Sequence, residues 1–147
     1  MIDFKWIPFS GLTSKQVYEI LSLRSQVFVV EQNCVYLDPD GKDFDTLHLL
    51  GYDDGLLATY MRLFLPTESN QFIVFGRIVT APTERMKGYG KRLMQEMLAY
   101  CDKHYPDVII KCSAQYYLKQ FYESFEFKTC SDIYDEDGIP HIAMQRF

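Results

Sequence analysis

No apolar run in this sequence approaches the roughly 18 residues that a membrane-spanning helix needs, so no helical membrane span is expected. The opening residues, Met1-Ile2-Asp3-Phe4-Lys5-Trp6, lack a basic start followed by an apolar stretch, and no secretory signal is expected. Cysteines are few and scattered. Cys34, Cys101, Cys112 and Cys130 form no C-x-x-C and no paired spacing with a histidine, so no metal site is predicted. Free thiols in a reducing cytosol are the simplest account, and a cytoplasmic location is the expectation. Basic residues fall short of what a nucleic-acid binder carries: the net charge is −5 and the pI about 5.1, which argues against that partner. Repeats, low-complexity tracts and linkers are also absent.

The chain has 147 residues, of which 48% are hydrophobic. That suffices for one core, and a single domain over 1–147 is expected. Acidic residues cluster in two loops: Asp38, Asp40, Asp43 and Asp45 in one, Asp132, Asp135, Glu136 and Asp137 in the other. Both are expected as solvated turns. A cluster lining an acceptor channel would attract a cationic amine.

The most informative stretch runs from Phe75 to Leu98. Phe72 to Thr80 is apolar and β-branched, the pattern of a buried strand. Pro82 ends it, and Arg85, Gly88 and Gly90 follow in the spacing R-x-x-G-x-G. A helix then begins, with Leu93, Met94, Met97, Leu98 and Cys101 on its apolar face. Strand, glycine turn and helix together make an anion site. Glycines admit a ligand close to the backbone, the first helical amides are free to donate, and the helix dipole is positive there. Arg85, Lys87 and Lys91 add charge, so a phosphate-bearing ligand is the natural guest. The turn is not a Walker loop, because Arg92 follows Gly90-Lys91 where Ser or Thr is required. Nor is it the dinucleotide fingerprint. An ordinary glycine turn before a helix is the plain alternative.

Elsewhere the pattern predicts a first strand from Asp3 to Phe9 and a helix opened by a Thr13–Gln16 capping box, with Leu12 and Val17 as a hydrophobic staple. Val17, Ile20, Leu21, Val27 and Phe28 form its stripe. Arg24 interrupts the stripe, either paired with a carboxylate or walling a substrate site. Asn33 to Asp45 reads as a loop. Leu47 to Tyr52 and Leu56 to Leu65 read as a hairpin around Asp53-Asp54-Gly55. Val108 to Cys112 is a predicted strand, and about Ala114 to Ser124 a short helix. Glu126 to Cys130 and Ile139 to Arg146 are predicted strands around a turn at Tyr134 to Gly138. The sum is an α/β fold, one mixed sheet with helices on its faces.

The segment Phe75-Gly76-Arg77-Ile78-Val79-Thr80, followed by Arg85-Met86-Lys87-Gly88-Tyr89-Gly90, resembles the acetyl-CoA motif of the GNAT family of N-acetyltransferases. Ala114-Gln115 and Phe121-Tyr122-Glu123-Ser124-Phe125-Glu126-Phe127 are similar to that family's N-x-x-A-x-x-F-Y-x-x-x-G-F pattern, with Glu126 in place of the glycine. Leu23 to Cys34 and Glu136 to Ile142 resemble the ElaA subfamily. The resemblance implies a mostly antiparallel central sheet flanked by helices, two of whose strands splay to admit acetyl-CoA. It implies that Arg85, Met86, Lys87, Gly88, Tyr89, Gly90 and Lys91 grip the cofactor pyrophosphate. It places the pantetheine arm against Ile78, Val79 and Thr80, with Gln115 and Tyr122 nearby. The implied activity is transfer of an acetyl group to the amine of a small molecule or peptide, with a backbone N–H in the Val79 region as oxyanion donor.

Acyl transfer to an amine needs a neutral nucleophile, a stabilised oxyanion and a protonated leaving thiolate. The resemblance puts Tyr122 at the thiolate, and a tyrosine can protonate a thiolate of pKa about 8–9. Tyr116 and Tyr117 are neighbours that compete for this assignment, and a core aromatic is the alternative. Base candidates are Glu31, His48 and His141, or a bound-water relay. The expected partners are acetyl-CoA and the amine, without nucleic acid or membrane; a homodimer is left open. Rival readings are an acyl-CoA sensor without turnover, a transferase of a different acyl group, and an unrelated nucleotide-binding module.

Overall fold

The computed structural model describes residues 1–147. Its strands are β1 (Ile2–Pro8), β2 (Leu47–Asp53), β3 (Leu56–Phe64), β4 (Ile73–Thr80), β5 (Ile110–Gln115), β6 (Lys128–Thr129), β7 (Tyr134–Glu136) and β8 (Ile139–Arg146). Its helices are α1 (Ser14–Arg24), α2 (Tyr89–His104) and α3 (Lys119–Glu123). The eight strands make one sheet in the order β1-β2-β3-β4-β5-β8-β6, with β7 also paired to β8. Every pairing is antiparallel except β4 with β5, so the expected mixed, mostly antiparallel sheet is present. No helix is long and apolar enough to cross a membrane.

Each face of the sheet carries its own core. On one side α2 lays Leu93, Met94, Met97 and Cys101 onto Leu49, Met61, Leu63, Ile73 and Phe75, and Tyr122 and Phe127 join them. On the other, Ile20, Leu23 and Val27 cover Leu50, Leu57, Tyr60 and Val79. The helical spacing read from the α2 sequence is therefore the spacing that packs.

The Thr13–Gln16 capping box is present, with reciprocal bonds of 2.9 and 3.1 Å. Two hairpins turn on Asp-Gly pairs whose residues all have positive φ: Asp54 (51°) and Gly55 (80°), and Asp137 (54°) and Gly138 (80°). This is the turn that matches strand twist. The second hairpin corrects an expectation, since Tyr134–Glu136 is strand and only Asp137-Gly138 turns. The Asp-Gly signal that located the first hairpin was available for the second.

Other boundaries also move: the first strand is Ile2–Pro8, and the short helix expected from about Ala114 is α3 at Lys119–Glu123. The stripe that predicted one helix through Phe28 spans two elements: α1 stops at Arg24 and Ser25–Glu31 continues as a π-helical stretch. Its wider turn continues beyond it in bonds from Gln32 N–H to Val27 C=O (3.1 Å) and Cys34 N–H to Val29 C=O (3.0 Å). The strand expected at Val108–Cys112 lies at Ile110–Gln115, where pairing with β8 fixes its register. The strand expected from Glu126 begins at Lys128, because α3 ends in a Schellman motif. Glu126 takes φ +70° there, with bonds from Glu126 N–H to Glu123 C=O (3.0 Å) and Phe127 N–H to Tyr122 C=O (3.3 Å). That left-handed position normally belongs to glycine.

Candidate functional site

Strands β4 and β5 pair only at Ile73–Ile110 and Val74–Lys111. Beyond that point β5 stays on β8 as far as Gln115–His141, while β4 stays on β3 as far as Thr80–Thr59. The two strands therefore diverge, and the β5-facing edge of β4 from Phe75 to Thr80 has no strand against it. Such an edge offers backbone donors and acceptors to an extended ligand. Ile78, Val79 and Thr80 lie on it.

Within this edge β4 carries a bulge. Arg62 opposes Gly76 and Tyr60 opposes Val79, so Met61 faces two residues, Arg77 and Ile78. Arg77 takes φ +52°. The extra residue reverses the alternation of side chains. Phe75 packs in the α2-side core and Val79, four residues on, in the opposite one.

The glycine turn follows at the end of β4. Gly88 is the N-cap of α2 with φ +76°, makes no side-chain cap, and no acidic residue occupies the first turn. The leading amides of α2 thus remain free beside the positive end of its dipole. A Cβ at Gly88 would meet nothing within 4 Å, and one at Gly90 would touch only Thr80 Oγ1 (3.9 Å) and Phe121 Cζ (4.0 Å). Tyr89 turns inward and donates its hydroxyl to Asp53, anchoring the turn to the β2–β3 hairpin. Met86 (φ +67°) and Lys91 are exposed, and Lys87 reaches Glu84 at 3.1 Å. Phosphate oxygens fit this arrangement through the amides.

Arg85, expected to face a phosphate, clasps Glu31. Its Nη1 and Nη2 donate to Oε2 (2.9 Å) and Oε1 (2.7 Å) of that carboxylate. The hydrogen bond from Arg85 pulls the Glu31 carboxyl below its usual range. A cofactor candidate and a base candidate are thus brought into direct contact, and Glu31 so held is a weak proton acceptor.

Tyr122 sits above the point where the strands part. Its ring centroid lies 6.0 Å from that of Phe75, the first β4 residue past the paired segment, and 5.3 and 6.2 Å from Phe121 and Phe127. Burial pushes its hydroxyl well above the ordinary tyrosine value. The residue is 3% exposed. Tyr116 and Tyr117 are exposed.

His141 occupies the other side. Ile142 and Met144 belong to the α2-side core, so the alternation of β8 turns His141 away from it. Its Nδ1 lies 2.7 Å from the Ile139 carbonyl oxygen. A carbonyl only accepts, so Nδ1 donates this bond. Glu136 Oε2 lies 3.2 Å from Nε2. The end of the π-helical stretch closes this side: Gln32 accepts from Gln115 (3.3 Å), and the Cys34 thiol donates to the Asp137 carbonyl (3.4 Å).

His48 is not part of this constellation. It is buried, with Nε2 3.0 Å from the Asp43 carbonyl and Nδ1 2.6 Å from the Tyr60 hydroxyl. Burial lowers its pKa.

The first acidic cluster is not a solvated turn. Asp38, Asp40 and Asp43 interlock with Arg24, Arg62 and Arg77, drawn from α1, β3 and the β4 bulge. Arg24 is fully buried and Asp38 is 2% exposed. A charge this deep persists only when paired, which settles Arg24 as the paired arginine. The signal was present as a charge on an apolar stripe, but its partners lie 14 and 19 residues away and spacing did not indicate them. The second cluster, Asp132 and Asp135 to Asp137, is exposed.

Residues 41–146 match the family model described as "Acetyltransferase (GNAT) domain". The chain is 40% identical to protein ElaA of Escherichia coli over 99% of its own length and 97% of that protein's. The crystal structure of Escherichia coli ElaA superposes with a TM-score of 0.92 over the whole of both chains. The crystal structure of an acyl-CoA N-acyltransferase from Pseudomonas aeruginosa is similar at 38% identity, again over both whole chains, with a TM-score of 0.94. An aminoglycoside 6'-N-acetyltransferase complexed with coenzyme A shares the fold alone, at 12% identity, 97% and 96% coverage and a TM-score of 0.71.

Proposed function

The chain belongs to the GNAT acetyltransferase family, and on that premise we propose that this acyltransferase moves an acetyl group from acetyl-CoA to a primary amine of a small molecule or peptide. One observation carries the reading: the strand edge left free where β4 and β5 part leads directly to the uncapped, glycine-lined start of α2. A thioester-bearing chain laid along that edge would end with its phosphates on the Tyr89–Lys91 amides.

The protein's own groups then divide the work. Backbone N–H groups near Val79 donate to the carbonyl oxygen as charge develops on it. Tyr122 donates its proton to the departing thiolate from the α2 side of the sheet. The His141–Glu136 pair, with Nε2 and Oε2 3.2 Å apart, takes the amine proton on the opposite side. The exposed acids of the β7–β8 hairpin favour a cationic acceptor approaching there.

Thiol release from acetyl-, succinyl- and longer acyl-CoA against polyamines, aminoglycosides, amino acids and peptide N-termini, with mass detection of the acylated product, tests the reading. Acetyl-CoA consumed with an N-acetylated product supports it. Binding without turnover for any acceptor would leave the sensor reading, and preference for a longer acyl group would change the donor. Gly90→Val tests the cofactor site separately. No positive φ is required there, and its neighbours leave room for a Cβ, so a folded variant should lose CoA affinity through contact with the phosphates. Unchanged affinity by calorimetry would remove the turn from the site.

A further inference from the structure

We propose that Asp38 and Arg77 are positioning residues for acyl transfer, a pair that fixes the β4 bulge and so aims the Val79-region amides at the thioester carbonyl. The proposal rests on the reading above, in which that carbonyl lies along the free edge of β4.

Packing requires one extra residue between Gly76 and Val79, because Phe75 and Val79 fill cores on opposite faces. Packing alone does not say which residue adopts the left-handed conformation. Arg77 does, at φ +52°, although a side chain with a Cβ disfavours it. Its guanidinium is held at several points. Nε donates to Asp38 Oδ1 at 2.8 Å, Nη2 to the Asp38 carbonyl at 3.0 Å, and Nη2 lies 3.6 Å from Asp40 Oδ2. The Tyr36 ring lies 5.8 Å away. These bonds select the rotation of the bulge and hence the direction of the amides that follow it.

Asp38 does more than hold Arg77. Its Oδ2 accepts from Arg24 Nε at 2.8 Å, and its Oδ1 also accepts from the Tyr36 hydroxyl at 3.1 Å. Arg24 closes α1 where the π-helical stretch carrying Glu31 begins. One buried carboxylate therefore ties the amides on the thioester side to the wall on the acceptor side. Small misplacements of reacting groups are expensive in rate, and an ion pair anchored on a buried carboxylate is a suitable means of preventing them.

Arg77 stands at the rim of the network, with its side chain 23% exposed. Arg77→Gln leaves Asp38 bonded to Arg24 and Tyr36, so this variant tests the proposal without emptying the network. The probe is acetyl-CoA labelled with carbon-13 at the carbonyl, and the readout is its stretching frequency by difference infrared spectroscopy. Binding to the wild type should lower the frequency, as a hydrogen bond to the carbonyl requires. In folded Arg77→Gln the lowering should fall by about half or more, since such donors act only when aimed. CoA affinity by calorimetry should stay unchanged, and Arg77→Lys should recover part of the shift. A full shift retained in Arg77→Gln would overturn the proposal. A wild type that binds CoA but shows no shift would remove the amide donor and the proposal with it, leaving the cofactor site standing. A wild type that does not bind CoA would overturn the underlying reading itself.

Discussion

The Glu31–Arg85 clasp gives a prediction of unusual sign: removing a well-formed ion pair should tighten ligand binding. Glu31→Gln keeps the size of the side chain and removes its charge. In the free protein both nitrogens of the Arg85 fork are occupied by that carboxylate. Phosphates reaching Arg85 must displace it, so part of their attraction is spent on breaking the pair. The side chains are 42% and 41% exposed, and exposed pairs contribute about 0.2–1 kcal/mol. Two-point geometry favours the upper half, about 0.5–1 kcal/mol, equivalent to roughly two- to fivefold in affinity. Calorimetric titration of CoA into Glu31→Gln at low ionic strength should show that gain, shrinking as salt screens the competing charge. Arg85→Gln should move affinity the other way. Glu123→Gln removes an equal charge from α3 and controls for net charge. Equal affinity for wild type and folded Glu31→Gln would refute the reasoning and show that phosphates bind the α2 amides while the clasp stays closed.

Three further outcomes follow from the same geometry. Tyr122→Phe keeps the ring packed against Phe75 and Phe127 and should lower kcat about 100- to 10,000-fold where chemistry limits the rate; the KM for acetyl-CoA should hold, and wild-type turnover would make Tyr122 a packing residue only. Stability should fall in acid: hydrogen bonds from Arg62 hold Asp40 well below the carboxylate range, and, against burial, those from Arg24 and Arg62 hold Asp43 low. Depressed carboxylates stabilise the fold above their unfolded pKa of about 3.9 and lose that contribution as pH drops. Buried His48, also shifted down, begins the loss below about pH 6.5. Denaturant melts from pH 8 to 3 should therefore decline first gently and then steeply, and a flat profile would contradict the network. Glu126→Gly relieves a left-handed residue at φ +70° and gives up only an exposed contact to Arg146. It should add about 0.5–1 kcal/mol, or roughly 2–4 °C in Tm, and a lower Tm in calorimetry would show that the Arg146 contact matters more.

The features legible in the sequence are local. The capping box at Thr13, the Asp-Gly hairpin at Asp54, the α2 stripe and the strand–glycine–helix order each depend on residues within a few positions of one another, where propensity and periodicity act directly. The free amides of α2 follow from the same short range. The remaining features depend on pairing across the chain. The β4 bulge shows itself only against β3, since Met61 must face both Arg77 and Ile78. The partners of Arg24 and Arg77, the contact of Glu31 with Arg85, and the placing of His141 and Tyr122 on opposite faces join segments 14 to 54 residues apart. Charge clusters carry no record of their partners: Asp38 reads like Asp135 in sequence, yet one is buried between two arginines and the other is exposed. The physical reason is that burial converts a solvated carboxylate into one that must be paired, and burial is a property of the packed sheet.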